Sequence, residues 1–337
     1  MIRRPLGTLA PGPAHRPGAR SRQVAAASAH RGRQVEGSGE HDMTPTVVVG
    51  IDGSIPSMAA ASWAADEARR RHHRLQVICA YVVPVVGHVD DVSATEFAGA
   101  VRMARQQTLD RARAELAGTH PELEIATSLI EADPRTALIE ASKWASLTVV
   151  GSRGSGRLVE IVLGSVALHV AMHGRSPVAV VPHGLPYPDR PVLVGVDGSP
   201  LGRAAIRYAL EQAATRGVAL VAIRAYAEPS HRRSDRRQVP AGAATGAAEQ
   251  AVLSEQLAGC REQYPQIAVR EVICHGQPAA ALLRYGQQWP DEQSPQLIVV
   301  GSRGRDRFDG GQLGSTSHAL IAHATCPIIV VHAPIAV

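Results

Sequence analysis

One pattern occurs twice in this 337-residue chain, and that duplication limits its possible folds more than any other feature. Leu147 to Val181 reads LTVVGSRGSGRLVEIVLGSVALHVAMHGRSPVAVV, and Leu297 to Val331 reads LIVVGSRGRDRFDGGQLGSTSHALIAHATCPIIVV. Both copies hold glycine at the spacing G-x2-G-x9-G-S, as Gly151, Gly154 and Gly164-Ser165, then Gly301, Gly304 and Gly314-Ser315. Upstream, VVVGIDGS at Val47 to Ser54 returns as VLVGVDGS at Val192 to Ser199. The first motif is offset by 145 residues (192 − 47) and the glycine motif by 150 (297 − 147). The five extra residues belong in the loops around Glu228 to Gly246 or Gln287 to Ser294. A period this long marks a duplicated domain and not a short-repeat solenoid.

Within each copy the apolar pattern alternates strand and helix. In the first, VVVGID supplies a β-branched strand and Gly53-Ser54 a break, and Ser57 to Arg71 follows with Met58, Ala61, Ala65 and Ala68 along one helical face. Further strands are expected at Leu75 to Val83, Leu123 to Ile130, Leu147 to Val150 and Pro177 to Val181. A loop is expected at Pro84 to Ser93 and a long helix near Thr95 to Ala117. Asp133-Pro134 opens a short helix, with Asp as cap and Pro in the first turn, and another helix covers Ser165 to His173. Alternation of this kind gives an α/β fold: a parallel sheet covered on both faces, with right-handed crossovers. Ligands of such sheets lie at the carboxyl edge of the strands, where strand order reverses. Both glycine motifs and both Asp-Gly-Ser turns fall on that edge.

Residues 1–42 lack apolar periodicity and read as a disordered leader. The first domain is assigned to 43–182, a linker to 183–190 and the second domain to 191–337. Met43 stands just before the first strand and is a candidate start of translation, which an intact mass of the native protein tests.

With 45% hydrophobic residues and only 3% aromatic ones, the cores must be built from Val, Ile, Leu and Ala, which suits buried parallel strands. The net charge of +5 divides unevenly. Residues 1–42 hold seven Arg against three acids, leaving 28 basic and 27 acidic residues in the rest. A body at +1 with few aromatics offers neither a basic phosphate track nor stacking rings, so nucleic acid is set aside as a partner. Cys79, Cys260, Cys274 and Cys326 form no C-x-x-C pair, so neither a zinc site nor a disulfide framework is indicated. No apolar run approaches the roughly 20 residues that span a bilayer, and the Arg-rich start has no apolar signal segment. No membrane partner is expected, and a cytoplasmic location is.

The chemistry lies in the motifs. Glycine after a strand lets backbone come close to another group or take positive φ. Gly164-Ser165 and Gly314-Ser315 begin helices, whose unpaired N–H groups suit a phosphate. Arg153 and Arg303 stand in the loops, where a guanidinium can meet a phosphate or ribose. Asp52 and Asp197 can accept from a ribose hydroxyl or adenine, hold a metal bound to phosphates, or simply cap the next helix. Ser54 and Ser199 read as turn residues, since no G-x-S-x-G surrounds them. His169, His173, His318 and His323 read as surface or core-edge residues. Asp306 and Asp309 beside the second loop have Gly156 and Val159 as counterparts. At an effective dielectric of about 20, a carboxylate about 6 Å from a phosphate costs on the order of 3 kcal/mol.

Together DGS, the G-x2-G-x9-G-S loop and the endings SPVAVV and CPIIVV resemble the universal stress protein family in its tandem form, from about Thr46 to His332. The resemblance implies two five-stranded domains of strand order 3-2-1-4-5, like the adenine-nucleotide alpha hydrolases. It also implies ATP or another adenine nucleotide in each half, with or without Mg2+, and halves paired as a pseudo-dimer, homodimerisation being a further option. Adenine contacts carry over to Gly50, Asp52, Ala80 and Val150, and phosphate and ribose contacts to Gly151, Arg153, Gly154, Gly164, Ser165 and Val166. The second half offers Gly195, Asp197, Ala225, Val300, Gly301, Arg303, Gly304, Gly314, Ser315 and Thr316. The family's Gly-x-Pro appears as Gly276-Gln277-Pro278 and, altered, as Ala132-Asp133-Pro134.

The leading expectation is an ATP-binding regulatory module of the stress response. The alternatives are a slow ATPase or nucleotidyl-transferring enzyme, a cyclic-AMP binder, or a nucleotide-free scaffold in which the glycines are turns. Against an enzyme, there is no P-loop, no adenylation loop and no evident general base. The single lysine, Lys143, also precludes a phosphate-clamping Lys in each half.

Overall fold

Short β-branched runs and alanine-rich helices alternate along the chain as β1 (Thr46–Gly50), α1 (Ile55–Arg71), β2 (Arg74–Tyr81), α2 (Ala94–Thr119), β3 (Ile125–Glu131), α3 (Pro134–Ala141), β4 (Leu147–Gly151), α4 (Ser165–His173) and β5 (Val178–Val181). The second half repeats them as β6 (Val192–Gly195), α5 (Pro200–Arg216), β7 (Leu220–Tyr226), α6 (Ala241–Gln263), β8 (Val269–His275), α7 (Pro278–Gln287), β9 (Leu297–Gly301), α8 (Ser315–His323) and β10 (Ile328–Val331). The computed structural model describes residues 44–84, 94–152, 164–184, 188–226, 241–287, 295–304 and 313–332. The expected leader, most of the Pro84 to Ser93 loop, Arg153, Gly154, Gly156, Val159, Asp306 and Asp309 lie outside them.

The strands form one sheet of order β3-β2-β1-β4-β5-β10-β9-β6-β7-β8, so each half has the expected order 3-2-1-4-5. Within each half every pairing is parallel. Between the halves β5 and β10 run antiparallel, with Ile328, Ile329 and Val330 opposite Val180, Ala179 and Val178. The strands of the two halves therefore point in opposite directions, and their carboxyl ends emerge at opposite edges of the sheet.

The apolar core is split by the sheet. On the side of α1, α2, α5 and α6, Leu75, Leu147, Leu220 and Leu297 join Trp63, Leu109, Ile206, Leu253 and Leu257. On the other side Leu138, Val170, Leu282 and Leu320 cover Val48, Leu193 and Ile298. Each such side chain contributes about 1.5–3 kcal/mol when fully buried. Local signals fix the helix ends. Ser54 and Ser199 cap α1 and α5 by accepting from Ser57 N and Gly202 N. Each of the two helices stops on a left-handed residue, His72 (φ 55°) and Gly217 (φ 66°) respectively.

The structure also places the extra residues of the second half. Pro134 to Leu147, from the start of α3 to the start of β4, is 13 positions, and Pro278 to Leu297 is 19. The surplus of six lies between Pro278 and Leu297, two of them in α7, which is longer than α3 (10 residues against 8), and it is offset by one residue lost between β7 and β8. The Gly-x-Pro turns differ as well. Gly276 takes φ 119°, whereas the first half uses Asp133 as a side-chain cap accepting from Arg135 N at 2.8 Å.

Candidate functional site

In each half β1 or β6 leads outward to β2 or β7, and β4 or β9 to β5 or β10, so strand order reverses between the first and fourth strands. The register Val49↔Val149 continues outward to Gly50 beside Val150, and Val194↔Val299 to Gly195 beside Val300. Ala80 and Ala225 are the last residues but one of β2 and β7 at the same edge, two residues beyond Ile78 and Ile223, the partners of Gly50 and Gly195.

Neither aspartate caps a helix; each holds the serine that does. Asp52 Oδ1 accepts from Ser54 N at 3.0 Å and Ser54 Oγ at 2.6 Å. Asp197 Oδ1 accepts from Ser199 N at 2.9 Å and Ser199 Oγ at 2.7 Å. Gly53 and Gly198 make the turn possible at φ 86°. In the second half Asp197 Oδ2 is buried without a hydrogen-bond partner among the described residues. It faces the glycine loop, since a Cβ on Gly304 would stand 3.2 Å from it. The first half differs here: Ser57 occupies the place of Gly202, and its hydroxyl donates to Ser54 O at 2.9 Å. A Cβ on Gly202 would lie 2.6 Å from Asp197 Oδ1, so the second carboxylate fills space that Ser57 takes in the first.

The glycines divide into two kinds. A Cβ on Gly50 would fall 2.6 Å from Leu138 Cδ1, and on Gly195 3.0 Å from Leu282 Cδ1, because α3 and α7 press onto β1 and β6 there. On Gly151 it would meet the Pro56 carbonyl at 2.8 Å, where α1 begins, and on Gly301 the Leu201 side chain at 3.0 Å. At Gly151 the obstacle is backbone, so the chain's own packing requires glycine there, whereas at Gly50, Gly195 and Gly301 the nearest obstacle is a leucine side chain that can shift. Gly314 is otherwise: its φ is −59°, and a Cβ would meet Ser302 O, Arg303 Cα and Gly304 N only at 3.5, 3.6 and 3.8 Å. Gly164 has the same open backbone, with φ −61° and ψ 134°.

These two glycines sit at the starts of α4 and α8, and neither helix has a side-chain cap. Gly164 N donates to Ser152 O at 2.9 Å and Gly314 N to Ser302 O at 2.8 Å, closing each loop back on its strand. The first intrahelical bonds are Leu168 N to Gly164 O and His318 N to Gly314 O. The N–H groups of Ser165 and Val166, and of Ser315 and Thr316, consequently have no helical carbonyl to meet. Ser317 Oγ donates to Gly301 O at 2.7 Å and fixes α8 against β9. Arg303 is exposed at the loop's start.

Sequence reasoning missed Arg105, which reaches from α2 to donate to Asp52 O at 3.2 Å; nothing in its helical surroundings signals the contact. It missed Ser57 and Gly202 too, although comparing the two copies position by position exposes that difference. The rings of His169 and His173 on α4 lie 4.5 Å apart, tilted by 54°. No cluster of metal-ligating side chains occurs among the described residues, and none of their helices is long and apolar enough to cross a membrane.

A duplicated, doubly wound α/β protein with a glycine loop at each switch point is the class that this architecture defines. The family follows from comparison: the universal stress protein family model matches residues 43–182 and again 189–332. A universal stress protein of Mycobacterium tuberculosis is 34% identical over 304 residues, covering 84% of this chain and 96% of the relative. One from Mycolicibacterium smegmatis is 35% identical over 301 residues, covering 85% and 96%. The crystal structure of a universal stress protein from Archaeoglobus fulgidus shares the fold at a TM-score of 0.59 and 23% identity, covering 85% of this chain and 98% of that one. The chain belongs to the universal stress protein family, as a tandem member.

Proposed function

We propose that the two halves, 43–182 and 191–337 joined by the linker 183–190, each bind ATP and that occupancy makes the chain a nucleotide-dependent regulatory module. One observation carries the reading. Gly314 stands at a helix start without a side-chain cap, in a conformation open to any residue, with room for a Cβ among the described residues, so nothing in the described fold calls for glycine there. A phosphate drawn to the free N–H groups does call for it, because a side chain would stand in its approach. Beside it, Asp197 Oδ2 lacks a partner among the described residues and is suited to accept from a ribose hydroxyl. Asp52 would play that part in the first half, with Gly50, Ala80 and Val150, and Gly195, Ala225 and Val300, flooring the adenine. Gly151, Arg153, Gly154, Gly164, Ser165 and Val166, and Gly301, Arg303, Gly304, Gly314, Ser315 and Thr316, would surround the phosphates, with Mg2+ as an optional counter-ion.

Mass spectrometry of the nucleotide that co-purifies with the native chain identifies the ligand. Calorimetry with ATP then tests the site: the double variant Gly164→Val/Gly314→Val is expected to lose binding. ATP affinity equal to that of the native chain would refute the assignment, and phosphate release followed over hours separates a binder from an ATPase.

A further inference from the structure

Where the halves meet, the repeat sets residues opposite their own counterparts. On the sheet Ala179 pairs with Ile329, positions related by the 150-residue offset. Over that seam α1 meets α5 with Glu67 against Gln212, related by the 145-residue offset, and both are fully buried. Gln212 Nε2 donates to Glu67 Oε1 at 2.7 Å, and so does Arg71 Nε at 2.7 Å. Arg216 donates one guanidinium nitrogen to Glu67 Oε2 at 2.6 Å and the other to Gln212 Oε1. Arg71 and Arg216 are counterparts too, and each lies over a ring of the opposite helix, 4.9 Å from Tyr208 and 5.9 Å from Trp63. Arg71 also pairs with Glu211 at 3.2 Å. Arginine and aromatic recur at matching positions of the two helices, with each arginine over the other helix's ring, but the acid Glu67 has the amide Gln212 as its counterpart.

That mismatch has chemical consequences. A glutamine gives an N–H to a carboxylate while accepting from a guanidinium. A glutamate in its place brings oxygen against oxygen at the distance now spanned by the N–H···O bond. A glutamine in place of Glu67 instead leaves two buried guanidiniums between two amides. Burial alone would raise the Glu67 carboxyl, but Arg216 and Arg71 outweigh it and hold it below its usual range, so the acid is ionised in the seam.

We propose that the Glu67–Gln212 contact is a partner-selecting element: it matches the α1 face of the first half to the α5 face of the second and disfavours seams between two first halves or two second halves. Separate copies of this chain would otherwise offer such like-with-like seams to one another. The facing residues of β5 and β10 are all apolar, and the side-chain contacts beside them run from His332 to the backbone carbonyls of Ser176 and Ala171.

Two single substitutions reproduce the like-with-like seams inside one chain, Gln212→Glu as acid against acid and Glu67→Gln as amide against amide. Thermal unfolding of the full chain at neutral pH is the measurement. Each single variant is expected to lower the midpoint by about 5 °C or more. The exchanged variant, Glu67→Gln with Gln212→Glu, should recover more than half of the larger loss, since acid and amide again face each other between the same guanidiniums. Single variants that melt with the native chain, or an exchanged variant that recovers less than half, would overturn the proposal. If a single variant cannot be isolated folded, the exchanged variant decides alone. It must then show native circular dichroism and native elution in gel filtration, and failure on either counts against the proposal.

Discussion

Replacing Gly164 and Gly314 together by alanine separates ligand chemistry from folding. Both positions have extended backbone, φ −61° with ψ 134° and φ −59° with ψ 146°, which alanine adopts without strain. At Gly314 the new methyl would come no closer than 3.5 Å to Ser302 O, an ordinary contact. Stiffening the unfolded chain favours alanine by about 0.4–1 kcal/mol per site. Alanine is also the poorer N-cap, at a cost of about 1 kcal/mol or less, so stability should stay within about 1 kcal/mol of native. Nucleotide binding should not. The methyl stands before the N–H groups of α4 and α8, and losing one charge-assisted hydrogen bond costs about 1.5–3 kcal/mol, a weakening of about 10- to 150-fold in Kd. Isothermal calorimetry with ATP, run beside urea unfolding, measures both quantities. A double variant of native stability that binds ATP with native affinity and stoichiometry would refute the argument that these glycines are reserved for a ligand.

Three further outcomes are expected. Gly151→Ala should lower stability by about 1–3 kcal/mol in urea unfolding, because its Cβ would press to 2.8 Å from the Pro56 carbonyl, a backbone atom that cannot swing aside. His72→Gly should raise stability by about 0.5–1 kcal/mol in the same assay, since His72 holds φ 55° where the second half has glycine at Gly217. His332 lies at the seam, with Nδ1 3.0 Å from Ser176 O and Nε2 2.9 Å from Ala171 O. Burial, with Arg303 and Arg175 nearby, holds it below its ordinary value of 6.5 in spite of those carbonyls. A base whose folded pKa is lowered stabilises above its unfolded pKa and loses that contribution as pH falls through the folded one. The stability of native protein relative to His332→Asn should therefore decline as pH drops below 6.5; a difference that is flat or grows with acid would contradict this.

Much of the fold was legible in sequence because it is encoded within a dozen residues at a time. TVVVG and LTVVG form β1 and β4 as expected, and Ser165 to His173 is helical over the anticipated span. Asp133 caps α3 as its place before a proline implied. The glycine motifs marked the switch point correctly but not their own division of labour. Spacing alone cannot tell Gly50, which makes room for Leu138, from Gly314, which makes room for nothing in the described chain. Nor could it show that the aspartates hold the capping serines.

Sequence by itself determined that two copies of one α/β unit exist, that each carries a glycine loop on the carboxyl edge, and that the cores are aliphatic. These follow from periodicity, β-branching and capping, which act between near neighbours. Tertiary structure decided how the copies join: through antiparallel β5 and β10, with Glu67 and Gln212 meeting across 145 residues of chain. It also decided that Asp197 directs an oxygen toward Gly304. Contacts so distant in sequence leave no local periodicity, because burial and hydrogen bonding assign their partners only once both halves have packed.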